Sequence, residues 1–253
     1  MSVAVSLARV HGFEMFLHPP DRDCVTPSMA NGTYESFELG IICQWIRPGD
    51  TVVDVGAHVG YYTMAMAREV GPRGRVYAFE PDPVNFAILE ENLKRNSLRD
   101  RVITFQKAVM DEESSWELNK GHFNTGDNRL FRKGTGNFST VSSVRLDDVV
   151  PAGTAVNFIK YDTQGREPFV IRGAQRVLTE QSKLAMAVEY WPFGMREGGT
   201  TPEELLSLLK GFSLYWVDEH SKSLTLMRPA QVLSMIDNAT DHFGNLFCVK
   251  GGR

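Results

Sequence analysis

The sequence predicts an open α/β fold with a mostly parallel sheet, and three observations carry that prediction. Short β-type runs alternate with helical patterns along the chain, the signature of successive βαβ units. Most of these runs are continuously apolar rather than alternating, as strands covered on both faces are. The first leads straight into a glycine loop and a helix, at Thr51-Val-Val-Asp54-Val-Gly56-Ala-His58-Val-Gly60-Tyr61.

Taken in order, residues 1–50 precede the first clear βα unit and are expected to form an N-terminal cap segment over it. Seven strand candidates follow, at 51–55, 75–80, 102–109, 157–162, 185–190, 213–218 and 245–250. Local chemistry sets the helices between them. Asp82 is placed to cap a helix with Pro83 at its first position, and Phe86, Leu89 and Leu93 fall on one apolar stripe. On the wet side, Glu90 and Lys94, and Glu91 and Arg95, are spaced for i,i+4 ion pairs. Residues 168–178 read as one helix, with Phe169, Val170, Ala174, Val177 and Leu178 on its core face. Thr201-Pro202-Glu203-Glu204 is a capping box ahead of Leu205, Leu206, Leu208 and Leu209, and Gly211 closes that helix. Residues 219–244 join the last two strands, with a short helix expected at 229–237, and this pair is expected to finish the sheet with one antiparallel strand. Residues 111–146 are polar and rich in Gly, Asn and Ser. An insert that long is more often functional than idle, and it is expected on the acceptor side of the site.

The 253-residue chain carries 27 Lys and Arg against 31 Asp and Glu, a net charge of −4. That balance argues against a nucleic-acid partner bound through a basic face. No run approaches the roughly 18–20 apolar residues of a membrane helix. The opening residues lack the basic start and apolar core of a secretory leader, so a cytoplasmic location is expected. Cys24, Cys43 and Cys248 are odd in number and lack CxxC spacing, which argues against a disulfide framework or a zinc knuckle.

The glycine loop carries the functional signal. Gly56 permits a sharp turn and a close approach of ligand to backbone, and Gly60 permits close packing at the start of a helix whose free N–H groups face the ligand. The spacing is GxxxG, not the GxGxxG of a pyrophosphate fingerprint, and no GK[ST] follows. The next strand ends in Glu80, 24 residues after Gly56 (80 − 56). A carboxylate there can accept both hydroxyls of a ribose. Asp54 adds a second carboxylate beside the same loop, able to meet an ammonium group. A nucleoside bearing an amino acid fits these demands, and S-adenosylmethionine is such a molecule.

The segments VVDVGAHVGYYT, VYAFEPDP, VRLDDVV, NFIKYDTQGRE and IRGAQRVL, in that order, resemble the FkbM family of S-adenosylmethionine-dependent methyltransferases. The resemblance implies a Rossmann-like class I methyltransferase fold over residues 51–253, with strand order 3-2-1-4-5-7-6. It also implies O-methylation of a small molecule such as a sugar, glycoside or polyketide hydroxyl in natural product biosynthesis. By motif, Asp54, Gly56, His58, Gly60 and Glu80 would hold the cofactor. Pro81 would lie against the adenine, Ala108 would line that pocket through its backbone, and Asp162 would stand at the methionine end. Glu35 resembles a family position near the cofactor. Two departures stand out: His58 replaces the family's usual Asn, and Asp162-Thr163-Gln164-Gly165 replaces its DxEG.

Methyl transfer is an in-line displacement dominated by alignment, and a hydroxyl acceptor must also lose a proton. Asp162, Glu189, His58 and His122 are the candidate catalytic groups, with Asn124, Asp127 and Asn128 near His122 in the polar insert. Asp162 and Glu189 end neighbouring strands, as metal carboxylates do in catechol-type O-methyltransferases. The usual Asp-Asn pair is missing because Tyr190 follows Glu189, so no metal is expected. Two other readings stay open, a non-catalytic partner that binds the cofactor, prompted by Gln164, and an NAD-dependent oxidoreductase, which the GxxxG spacing disfavours. An amino-methylating nucleic-acid enzyme would carry [DNS]PP[YF] where this chain has YDTQ.

Overall fold

The apolar runs become strands, and the glycines and prolines between them turn the chain into helices. A computed structural model describes residues 5–19, 23–119, 125–131, 138–236 and 242–252. The chain divides into two compact units, Met1–Ala108 with Ser115–Ser142, and Val109–Ser114 with Ser143–Arg253.

In the first unit, Arg75–Phe79 lies between Thr51–Val55 and Val102–Phe105, parallel to both. The helices Tyr61–Val70 and Pro83–Arg95 make the crossovers. Asp82 caps the second of these, accepting the N–H groups of Val84 and Asn85, with Pro83 at its first position as expected. Ile88, Leu89 and Leu93 are buried, but so are Asn85 and Asn92. Asn92 grips the N-terminal hairpin of Ser6–Val10 and Phe13–Leu17: its amide accepts from Phe16 N–H at 2.6 Å and donates to the Phe16 carbonyl at 2.9 Å. The expected i,i+4 ion pairs on this helix are replaced. Arg95 reaches Glu14 on the hairpin at 3.0 Å, and Glu90 turns to Arg99 at 2.8 Å. Two further helices, Thr26–Ala30 and Ser36–Trp45, stand among the described residues of 1–50. Within the polar insert, the described residues include strands. Ser115–Asn119 pairs antiparallel with Arg129–Phe131 and with Phe138–Val144.

In the second unit, Val156–Tyr161 lies parallel to Leu184–Tyr190. Gly244–Lys250 runs antiparallel to Leu184–Tyr190 on one side and to Ser213–Asp218 on the other. Within each unit the strand order agrees with the one the family resemblance implies, 3-2-1 in the first and 4-5-7-6 in the second. The strand count is corrected, since Ser223–Met227 adds an eighth strand, antiparallel to Ser213–Asp218. The short helix after it is confined to Pro229–Leu233.

The helix expected over 168–178 is two helices, Glu167–Arg172 and Gln175–Glu180. The break falls at Gly173, where a Cβ would stand 2.0 Å from the Met110 carbonyl oxygen. The second helix needs its own cap, and Asp147 supplies it, accepting the N–H groups of Arg176 and Val177, both at 2.9 Å. Phe169 is half-buried rather than core, with the Arg172 guanidinium 4.4 Å from its ring centre. Thr201 caps Pro202–Leu208 through Glu204 N–H at 3.1 Å, but the Glu204 carboxylate pairs with Arg172. Among the described residues no helix is long and apolar enough to cross a membrane.

Candidate active site

The first unit gathers most of the residues expected around a nucleoside. Gly56 sits at φ 89°, a conformation open to glycine, and the N–H groups of Gly56 and Ala57 both bond the Phe79 carbonyl. The loop is thereby tied to the end of the neighbouring strand. Gly60, at φ 95°, starts the helix Tyr61–Val70, and a Cβ there would meet Leu89 Cδ1 at 2.7 Å. Asp54 is fully buried at the end of its strand and accepts from the Thr63 hydroxyl.

Glu80 is the centre of this arrangement. It follows directly on Arg75–Phe79 and is 4% exposed. One carboxylate oxygen accepts His58 N–H at 2.8 Å and the other accepts Asp82 N–H at 2.8 Å. Burial pushes its pKa up to about 8, against the pull of the Asp82 and His58 N–H groups, while the charge of Asp82 adds to the rise. A carboxylate offers roughly four acceptor positions, so capacity for hydroxyl donors remains. A buried, backbone-anchored acid of this kind fits the ribose of a nucleoside.

His58 adopts the left-handed φ of 51° that places its N–H on Glu80. Its ring is turned elsewhere: Nε2 meets the Thr125 hydroxyl at 2.7 Å, and the ring stacks on His18 with centroids 5.8 Å apart. Thr125 is held at every polar group. Its N–H donates to Asp23 Oδ1 at 3.3 Å, and its carbonyl accepts from Asn85 Nδ2 at 3.1 Å. Asn85 in turn meets His18 Nε2 at 2.7 Å. Sequence reasoning missed Asn85, Asn92 and Thr125. The two asparagines carried a signal, since polar residues seven apart interrupt an apolar stripe. Thr125 carried none, because its partners are 40 or more residues away.

Glu35 also lies in this unit, at φ 40°, and accepts from the Tyr62 hydroxyl at 2.9 Å, while Glu38 takes the same hydroxyl at 3.4 Å. Burial first, and then these two carboxylates, hold the Tyr62 hydroxyl un-ionised. Pro81 is half-buried beside Glu80, and Ala108 is buried. His122 and Asn124 lie outside the described residues.

The second unit brings Asp162 and Glu189 together through a residue that stood out only as a departure. Gln164 Nε2 donates to Asp162 Oδ1 at 2.9 Å and to Glu189 Oε1 at 3.2 Å. The other Asp162 oxygen pairs with buried Lys160 at 2.7 Å. Behind this cluster, Glu167 is fully buried and ties the loop shut, accepting Thr163 N–H at 2.8 Å and its hydroxyl at 2.9 Å. Burial raises its pKa to about 7, with Asp162 adding to the rise. Nothing in the polar string TQGRE marks that glutamate as buried.

Comparisons with known proteins bear on both units. A family model described as the methyltransferase FkbM domain matches residues 54–214, more than half of the chain. The 31-O-demethyl-FK506 methyltransferase FkbM of Streptomyces tacrolimicus is 48% identical over 67 residues, 26% of this chain and 25% of that protein. The ribosomal protein L11 methyltransferase of Carboxydothermus hydrogenoformans is 28% identical over 90 residues, 34% of this chain and 29% of that protein. The matches thus span less than a third of the length of these curated relatives. Among solved structures, Pyrococcus horikoshii TYW2 in complex with MeSAdo aligns with TM-score 0.54 at 14% identity, covering 98% of this chain and 71% of that one. An rRNA-methylase candidate from Clostridium thermocellum aligns with TM-score 0.53 at 18% identity, covering 85% and 95%. At such identities the likeness is one of fold, and the fold is that of class I methyltransferases.

Proposed function

Because the chain belongs to the FkbM family of S-adenosylmethionine-dependent methyltransferases, we propose that it methylates a hydroxyl of a small molecule, a sugar or another natural product. One observation carries the cofactor half of this reading: Glu80, buried at the end of its strand, with each carboxylate oxygen fixed by a backbone N–H. In this reading Glu80 accepts the ribose hydroxyls, and Gly56 and Gly60 let the backbone come close. Asp54 and Glu35 serve the amino-acid end, Pro81 and Ala108 the base. His58 contributes its N–H to Glu80, and its ring, tied to Thr125, is a positioning group rather than a base.

S-adenosylmethionine, when bound, supplies an electrophilic methyl group on a sulfonium. The chain's own work at the acceptor is to orient the hydroxyl and receive its proton, and the pair Asp162 and Glu189 takes that role here. The FkbM of Streptomyces tacrolimicus, a 31-O-demethyl-FK506 methyltransferase by name, supports an oxygen acceptor on a small molecule. The likeness to the rRNA-methylase candidate is of fold alone and does not carry a nucleic-acid acceptor. The net charge of −4 speaks against it.

Calorimetry with S-adenosylhomocysteine tests the reading. Binding at micromolar ligand is expected, and Glu80→Ala should weaken it by about 2–4 kcal/mol through lost hydrogen bonds to a charged acceptor. Folded protein that ignores the nucleoside at millimolar concentration would overturn the cofactor assignment. Binding with no methyl transfer to any member of a broad hydroxyl panel would favour the non-catalytic partner.

A further inference from the structure

The amide of Gln164 has only one workable orientation. Its nitrogen donates to Asp162 Oδ1 and to Glu189 Oε1, which uses both N–H bonds of a primary amide. Flipping it would set the carbonyl oxygen against two carboxylates. The residue is held there at φ 55°, in the left-handed region, and Gly165 beside it packs so tightly that a Cβ would stand 2.3 Å from the Gly194 carbonyl carbon. With the nitrogen committed, Oε1 faces away from both acids and has no donor among the described residues. It lies just past the carboxyl ends of two adjacent parallel strands, Val156–Tyr161 and Leu184–Tyr190, the edge of an α/β sheet where ligands bind.

We propose that Gln164 is the acceptor-orienting residue, its Oε1 accepting the hydrogen of a neutral hydroxyl, and that this cluster discriminates against carboxylate acceptors. The inference rests on the O-methyl transfer reading and adds to it the residue that orients the hydroxyl and the exclusion of carboxylate acceptors. Asp162, Glu189 and the amide oxygen present lone pairs, and the Lys160 ammonium beside them is buried and paired with Asp162 Oδ2. A hydroxyl brings the hydrogen they lack, whereas a carboxylate brings a further negative charge and no donor. An amide oxygen can hold an O–H group in line without taking its proton, so Gln164 positions the acceptor and leaves proton transfer to the neighbouring carboxylates. The amide is a group whose hydrogen-bond polarity does not change with pH.

The test uses full-length ¹⁵N-labelled protein saturated with S-adenosylhomocysteine. The side-chain amide signals of Gln164 are assigned by their loss in Gln164→Leu, or by their movement in Asp162→Asn and Glu189→Gln should the leucine variant not fold. Methyl β-D-glucopyranoside and sodium acetate are then titrated separately at matched ionic strength. The glucoside is expected to shift the Gln164 signals at millimolar concentration and acetate to leave them in place. In Gln164→Leu the glucoside response, followed at the Gly165 backbone amide, should weaken about fivefold or more, as loss of one neutral hydrogen bond implies. A merely structural glutamine would show no preference between the probes. Acetate acting as strongly as the glucoside, or neither probe acting, overturns the inference. Nucleoside binding in the same samples is read by calorimetry. Its failure defeats the functional reading, and the titration is then repeated on the nucleoside-free protein, where the same two outcomes decide.

Discussion

Glu80 and Glu167 make a natural comparison. Each is buried and each ties in place a loop that leaves a parallel strand, Glu80 directly after its strand and Glu167 at the start of the helix that follows its loop, one in each unit. They do it differently. Glu80 is held by two backbone N–H groups, from His58 and Asp82. Glu167 also accepts one backbone N–H, from Thr163, but the rest of its loop is held by side chains, through the Thr163 hydroxyl, Gln164, Asp162 and Lys160, and by backbone packed on backbone at Gly165 and Gly194. Backbone donors are present whatever the side chains are, so a grip of the first kind survives substitution around it. Side-chain donors change with every substitution, and a grip of the second kind can be rewritten. On the proposed roles, the cofactor end is the part that stays general and the acceptor end is where selectivity is written.

The largest expected effect sets the two glycine positions against each other. Gly165→Ala would put a Cβ 2.3 Å from the Gly194 carbonyl carbon and 2.5 Å from its oxygen, at φ 86°. Neither backbone can yield without moving a helix start, so the loss of stability should be about 3 kcal/mol or more. Gly60→Ala carries similar backbone strain at φ 95°, but its Cβ meets only the end of the Leu89 side chain, which can rotate away. About 2 kcal/mol is expected there. Urea unfolding, with hydrogen exchange read separately in the two units, ranks them. Equal losses would remove the distinction between a loop held by packing and one held by hydrogen bonds.

The same contrast explains what could be read in the sequence. The strand Thr51–Val55, its glycine loop, the Asp82 cap and Glu80 were all legible, because each depends on residues within a few positions of itself. The helix break at Gly173 was not, because its cause is the carbonyl of Met110, far off in the chain. Neither was the burial of Glu167, which follows from the packing of its helix rather than from its neighbours in TQGRE. The strand Ser223–Met227 could have been found, since Ser-Leu-Thr-Leu-Met alternates as an exposed edge does. Gln164 was visible as a departure from a motif, but its use as a bridge between two acids needed the fold.

An intermediate effect is the pH dependence of stability. The pKa of Glu80 is raised from 4.5 to about 8, and that of Glu167 to about 7. The folded state therefore holds these protons more tightly than the unfolded chain. Their contribution to stability is fully present below about 4.5 and is lost as pH rises through 7 and 8, with a slope of up to about 1.4 kcal/mol per pH unit for each group. Thermal unfolding of the ligand-free protein between pH 5 and 8.5 should show the decline, and Glu80→Gln should flatten the upper part of it. Hydroxyl donors favour the ionised carboxylate, so S-adenosylhomocysteine affinity should rise over pH 6.5–8.5 with proton release, and Glu80→Gln should lose that rise. A decline that Glu80→Gln leaves unchanged would place the titrating acid elsewhere.

The smallest expected effect is the sharpest check on a backbone-held site. His58→Asn installs the residue that the family resemblance implies at this position. Asparagine tolerates the left-handed conformation better than histidine does, and His58 sits at φ 51°. Against that gain stands the loss of the 2.7 Å contact from His58 Nε2 to the Thr125 hydroxyl and of the stacking on His18. Each of these terms is about 0.5–1 kcal/mol, so the net change in stability should lie within about 1 kcal/mol of zero. What binds Glu80 is the N–H of residue 58, which the substitution leaves in place. Affinity for S-adenosylhomocysteine should therefore change by less than about threefold, whereas Glu80→Ala should change it far more. A tenfold loss in His58→Asn, measured in protein of unchanged thermal stability, would mean that the imidazole itself touches the nucleoside, and the division between a backbone-held cofactor end and a side-chain-written acceptor end would not stand.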